Sequence, residues 1–162
     1  MGGAALTIRP LAKSDYGQWL EVWDGYNAFY GRSGPTALDP AITACTWQRL
    51  FDPYEPIRCL VADAGGSLGG VVHYLLHRNT TAIEPSIYLQ DLYTRPDLRG
   101  TGIGRALIQA VYNQAALQGC GLVYWHTQES NFVAQQLYDH LAEKSGFIVY
   151  RKLINQDVDM IS

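Results

Sequence analysis

No stretch of this sequence approaches the roughly 20 consecutive apolar residues a helix needs to cross a bilayer. Its N-terminus also lacks the basic-then-apolar pattern of a secretory signal. Both absences predict a soluble, cytoplasmic protein without a membrane partner. Cysteine is scarce: Cys45, Cys59 and Cys120 are widely spaced and form no CxxC pair. That usage suits buried thiols in a reducing compartment better than disulfides or a zinc site. Met1-Gly2 opens like a myristoylation signal, but Leu6 stands where that motif needs Ser or Thr. Excess positive charge is missing too. A net charge of −3 and a pI near 5.7 give no general attraction to nucleic-acid phosphates, whereas a cationic partner such as an amine fits the sign. No repeat, low-complexity tract or linker divides the chain, and 48% hydrophobic with 17% charged residues suits one domain, 1–162, around one core.

What is present is a legible alternation of helix and strand periods. Leu6-Thr7-Ile8-Arg9 reads as a short strand, and Ser14 or Asp15 can cap a helix running to about Tyr30, before a break at 31–35. Trp19, Trp23, Tyr26 and Tyr30 recur at helical intervals and share one face. That face is either core or part of a pocket able to hold an alkyl chain or a cation, and both readings stay open. A second helix is predicted over 40–50. Segments 57–62 and 68–76 flank a glycine-containing turn and read as a hairpin, followed by a strand at 87–94. Ile103, Leu107, Val111 and Ala115 mark a helix over 103–118 that Gly119 and Gly121 end. A strand at 122–127, a helix at 131–144 and a last strand at 147–153 complete a mixed α/β order.

The most informative stretch is Arg99-Gly100-Thr101-Gly102-Ile103-Gly104-Arg105, between a predicted strand and a predicted helix. Free N–H groups at a helix start, with glycines permitting close approach and arginines adding charge, suit a diphosphate. A Walker loop would need Gly-Lys-Ser/Thr after four intervening residues, which the chain lacks. A dinucleotide fingerprint would need glycine at 105 or 107, where Arg105 and Leu107 stand, and an acidic residue about 20 positions on. Both alternatives fail.

Arg99, Gly102 and Gly104 match the pattern Gln/Arg-x-x-Gly-x-Gly/Ala, and here the sequence resembles the GCN5-related N-acetyltransferases. Ile87-Tyr88-Leu89-Gln90-Asp91-Leu92-Tyr93 is similar to that family's fourth strand. Asn131 with Leu137-Tyr138 and Gly146-Phe147 is similar to its last helix and strand. The run Tyr124-Trp125-His126-Thr127-Gln128-Glu129-Ser130-Asn131 resembles the branch containing fungal histone, polyamine and D-amino-acid acetyltransferases. The resemblance implies a central mixed sheet with splayed fourth and fifth strands, flanked by helices. It also implies acetyl-CoA as co-substrate, direct attack by an amine, and a homodimer, for which the predicted strand at 147–153 offers an edge.

Residue by residue, the resemblance assigns Leu92, Tyr93 and Thr94 to main-chain contacts with the pantetheine arm. The N–H of Leu92 would face the developing oxyanion, a donor typically worth about 3 kcal/mol. Arg99, Gly100, Thr101, Gly102, Ile103, Gly104 and Arg105 would cradle the diphosphate. Asn131 would hold the arm from the other side or cap a helix, or both. Tyr138 would contact coenzyme A and protonate the leaving thiolate, unless it is a buried aromatic. Trp23, Tyr26, Tyr30, Gln90 and Trp125 are candidates for the acceptor site. Where the polyamine enzymes carry a glutamate, Gln90 cannot accept a proton, and strand alternation turns its neighbour Asp91 to the opposite face. Glu129, Glu84 or a water relay remain as routes for the amine's proton. His73 and His77 could share a strand face, but with no third ligand no metal is expected. The expected acceptor is a primary amine on a small molecule, a polyamine or amino acid. A protein lysine or N-terminus, or a non-catalytic acetyl-CoA-binding role, are the alternatives.

Overall fold

The computed structural model describes residues 5–154, which form two compact units dividing after Gln128. The first unit contains β1 (Leu6–Pro10), α1 (Tyr16–Phe29), α2 (Pro40–Arg49), β2 (Ile57–Ala64), β3 (Leu68–His77), β4 (Ser86–Thr94), α3 (Ile103–Leu117) and β5 (Leu122–Tyr124). The strands lie in one sheet in the order β1-β2-β3-β4-β5. The first three pairings are antiparallel and β4 pairs with β5 in parallel, so the sheet is mixed.

β2 and β3 carry near-continuous apolar runs because helices cover both faces of the sheet. Alternation sends Cys59, Val61 and Val71 into a core with Trp19, Val22, Trp23 and Tyr26 of α1. The intervening residues face α3: a Cβ on Gly70 would lie 2.8 Å from the carbonyl oxygen of Tyr93 and 2.9 Å from Cγ2 of Ile103. Only glycine lets the first turn of α3 settle this closely on β3.

Asp15 does not cap α1 with its side chain, as its position suggested. Its carboxylate instead accepts from Nη1 and Nη2 of Arg9, each at 2.8 Å, and from the backbone N–H of Ala12. Arg9 also donates from Nε to Asp63 at 3.1 Å. One guanidinium therefore ties β1 to the entrance of α1 and to the end of β2. The charge-assisted pair holds the Asp15 carboxyl below the usual carboxylate range.

In the second unit the helix predicted over 131–144 is shorter, α4 (Phe132–Tyr138), capped by the Asn131 side chain accepting from the N–H of Ala134. The strand predicted over 147–153, and with it the proposed dimer edge, does not form: residues 147–154 carry no regular structure. The apolar residues that suggested it, Phe147, Ile148, Val149, Tyr150 and Leu153, are exposed. A strand exists only where its backbone groups find a partner, and among the described residues none pairs with this segment.

Candidate active site

β4 and β5 pair only from Ser86↔Leu122 to Tyr88↔Tyr124, while β4 continues to Thr94. From Leu89 onward, one edge of β4 has no strand partner among the described residues. This is the splay that the resemblance implied, and it offers unpaired backbone groups along the segment containing Leu92, Tyr93 and Thr94. The β3–β4 register slips in the same place: Tyr74 pairs with Leu89 but His73 with Asp91, which leaves Gln90 as an extra, bulged residue. The bulge breaks the alternation. Leu89 shares the α3 face with Tyr74, whereas Asp91 and Tyr93 turn to α1.

At the C-terminal end of β4 lies the glycine loop. Gly100 and Gly102 have φ of 77° and 91°, a region that L side chains rarely adopt, and a Cβ on either would meet nothing within 4 Å. Gly102 is the N-cap of α3 and offers no side chain to the first-turn N–H groups. The helical ladder begins at Ala106, which donates to the carbonyl of Gly102, so the N–H groups of Ile103, Gly104 and Arg105 precede it. Open space, orphan donors and a helix's positive end fit a diphosphate. Thr101 turns its hydroxyl back to the carbonyl of Leu98. Arg99 stacks its guanidinium over Phe29 and Tyr93, at 5.5 and 5.6 Å, and donates to the carbonyl of Thr94.

Behind the bulge is a buried polar chain that sequence reasoning missed. The indole N–H of Trp19 donates to Nε2 of His73 at 3.1 Å, and Nδ1 of His73 lies 2.9 Å from a carboxylate oxygen of Asp91. Indole can only donate, so Nε2 must be the unprotonated nitrogen and Nδ1–H donates to Asp91. His73 is therefore the neutral Nδ1–H tautomer, fully buried, with Asp91 buried beside it. Burial, followed by the charge of Asp91, pushes the hydroxyl pKa of Tyr26 up. The adjacent Cys59 thiol is also raised by burial, which argues against a nucleophilic role.

The aromatic face of α1 divides along its length. Trp19, Trp23 and Tyr26 are buried, with Trp23 stacked on both Trp19 and Tyr26 and donating to Thr43. Tyr30, just past the helix, is exposed and lies under the Arg32 guanidinium. Gln90 is exposed as well.

β5 ends at Tyr124, short of the strand predicted over 122–127; just past it Trp125 stands beside Tyr112 of α3, while its neighbours Tyr124 and His126 gather with Tyr88 and His77. The Tyr88 and Tyr124 rings stack at 5.2 Å, the Tyr88 hydroxyl meets Nδ1 of His126 at 3.2 Å, and the Tyr124 hydroxyl meets Nε2 of His77 at 2.8 Å. His73 and His77 thus have separate partners, and no group of three metal-ligating residues occurs among the described residues. Glu84 is close to Gly121, at the N-terminal ends of β4 and β5 and away from the splay. Within the second unit, Asn131 caps α4, the carbonyl of Glu129 accepts from Gln135, and Tyr138 is the last residue of α4.

A sheet that opens between its parallel strands beside a glycine-lined helix start marks an acyltransferase that draws on a coenzyme A thioester. The chain belongs to the Acetyltransferase (GNAT) family, whose model matches residues 19–142. It is 30% identical over 150 residues to the D-amino-acid N-acetyltransferase HPA3 of Saccharomyces cerevisiae, covering 91% of this chain and 90% of the relative. It is 31% identical over 107 residues to the thialysine N-epsilon-acetyltransferase of Mus musculus, covering 57% and 62%. The fold is shared with AAC(6′)-Iy, solved with the bisubstrate analogue CoA-S-monomethyl-acetylneamine, at a TM-score of 0.75 and 21% identity over 93% of this chain and 99% of that one. The protein is an N-acetyltransferase that takes acetyl-CoA as its co-substrate.

Proposed function

We propose that the chain acetylates a primary amine on a small molecule, a polyamine or amino acid, by direct attack on acetyl-CoA. The observation that carries this reading is the open edge of β4 leading into the glycine loop and the uncapped start of α3. Relatives named for D-amino acids and thialysine support a small primary amine as acceptor. In this reading Leu92, Tyr93 and Thr94 pair with the pantetheine arm, and residues 99–105 hold the diphosphate. The N–H of Leu92 stabilises the oxyanion. As the C–S bond breaks, the Tyr138 hydroxyl gives its proton to the thiolate, and Asn131 steadies the arm. Trp23, Tyr26, Tyr30, Gln90 and Trp125 border the acceptor, with Glu129 as a weaker candidate for moving its proton. A single domain over 1–162, a homodimer, a cytoplasmic location and no metal, nucleic-acid or membrane partner complete the proposal, on composition and family resemblance.

The test is a screen of polyamines, D- and L-amino acids, lysine analogues and a lysine peptide for acetyl-CoA-dependent thiol release. Turnover of a small amine is expected to exceed that of the peptide, and the reverse order would reject the reading. In Tyr138→Phe, turnover should fall about 100-fold or more with acetyl-CoA affinity retained. Full turnover with a rate-limiting chemical step would make Tyr138 a packing residue.

A further inference from the structure

Amine acetylation needs a group to receive the attacking amine's proton, and Gln90 cannot. Asp91 is a poor substitute: it is 8% exposed and already accepts Nδ1–H of His73. Glu84 lies at the wrong end of β4. A group at the opening lies just past the end of β5. The last β4–β5 pair is Tyr88↔Tyr124, where the sheet opens, and His126 follows two residues later. His126 stays against that last pair, its ring centroid 5.1 Å from Tyr88 and 6.1 Å from Tyr124, and so borders the mouth of the splay. It is exposed, and Tyr88 engages its Nδ1, leaving Nε2 as the nitrogen available to a ligand.

We propose that His126 is the general base of the acetyl transfer, positioned by Tyr88. This rests on the reading of the splay as the acetyl-transfer site. Nδ1–H donates to the Tyr88 oxygen, and Nε2 takes the proton of the attacking amine, directly or through one water. As the N–C bond forms and the C–S bond breaks, the amine's proton passes to Nε2 and the thiolate is protonated separately. His126 then returns its proton to solvent. The hydrogen bond to Tyr88 suits both states of the ring, because imidazolium also carries a proton on Nδ1. The titratable groups facing His126 are Tyr88 of β4 and Tyr124 of β5, and Tyr124 is in turn bonded to His77 of β3. Burial, Asp91 and Tyr124 raise the pKa of Tyr88, so its hydroxyl keeps its proton and remains a neutral partner for Nδ1.

The experiment is a pH profile of kcat/KM on the full chain, with whichever amine of the panel is turned over, for native protein, His126→Ala and Tyr88→Phe. Acetyl-CoA affinity is measured by calorimetry in each. The native profile should rise with pH through an ionisation that governs the rate. His126→Ala should bind acetyl-CoA normally, lose about 100-fold or more in rate and lose that ionisation, with partial rescue by added imidazole. Tyr88→Phe should move the ionisation without abolishing it. A His126→Ala profile that keeps the native ionisation, or a rate within about threefold of native, overturns the proposal. Turnover of only the peptide, still dependent on His126, would reject the small-molecule reading and leave the base assignment standing. No turnover of any amine by native protein that binds acetyl-CoA would reject both.

Discussion

Replacing His73 with leucine should cost far more stability than its size suggests. The imidazole is fully buried and makes two hydrogen bonds, one donated to the Asp91 carboxylate and one accepted from Trp19. Losing a hydrogen bond to a charged group costs about 1.5–3 kcal/mol, and stranding the buried indole N–H adds about 1–3 kcal/mol. Asp91 retains slight exposure, which lets water offset part of the first loss and places the total near 3–4 kcal/mol. That is a large fraction of the roughly 5–15 kcal/mol by which a domain is stable. Most of it comes from depriving the carboxylate of its imidazole donor, with only the Tyr26 hydroxyl left beside it, and stranding an N–H, so removing the carboxylate as well should recover part of it. His73→Leu with Asp91→Leu should therefore be no less stable than His73→Leu alone. Urea unfolding followed by tryptophan fluorescence measures all four corners of the cycle. A His73→Leu loss below about 1 kcal/mol, or additive losses in the double variant, would refute the tautomer and the chain built on it.

Asp15→Asn should destabilise by about 1.5–3 kcal/mol near neutral pH, because it breaks the charge-assisted, bidentate pair of a buried carboxylate with the partly exposed Arg9. The Asp15 carboxyl is depressed by folding, so its contribution is present above the unfolded value of about 3.9 and is lost as pH falls through the folded one. Thermal midpoints measured from pH 2 to 7 should converge for native and variant at the acid end. Gly102→Ala meets no atom in the fold and should cost only the strain of a positive φ, about 1–2 kcal/mol, yet weaken acetyl-CoA binding by calorimetry. Gly70→Ala, 2.8 Å from a rigid carbonyl of β4 and 2.9 Å from Ile103, should instead lower stability by about 1–3 kcal/mol by forcing β4 and α3 away from β3.

Elements whose periodicity is local were readable from the sequence. Ile103, Leu107, Val111 and Ala115 predicted α3, and all four are buried. The pairing of β2 with β3 followed from apolar segments around a glycine turn. The glycine loop was readable because Gly100 and Gly102 need backbone conformations that few other residues tolerate. The segment 147–153 was misread for the opposite reason: its apolar, β-branched composition suits a strand, but strand formation depends on a partner that composition does not reveal. The run from Tyr124 to Asn131 carried a family resemblance but no spacing that tells which of its rings meets β4; in the fold Tyr124 and His126 gather with Tyr88, and Trp125 stands beside Tyr112. Gly69-Gly70 inside a strand was the unused signal for the close approach of α3.

The bulge at Gln90 shows why alternation could not settle the chemistry of β4. With strict alternation, Leu89 and Asp91 would share a face, and the carboxylate would lie among the apolar residues beneath α3. One extra residue reverses the faces from that point, sending Asp91 to His73 and α1 while Leu89 stays with Tyr74. The reversal separates two tasks that adjacent residues in a regular strand could not divide in this way. Asp91 becomes a buried anchor whose charge is matched by a fixed imidazole donor, and Gln90 is left exposed where β4 loses its partner strand. A carboxylate committed to an internal donor cannot also exchange protons with an acceptor at low cost, because each transfer would leave the His73 N–H without its charged partner. The polar chain behind the bulge therefore favours a proton acceptor elsewhere, and the imidazole of His126, just past β5, has Tyr88 to orient it.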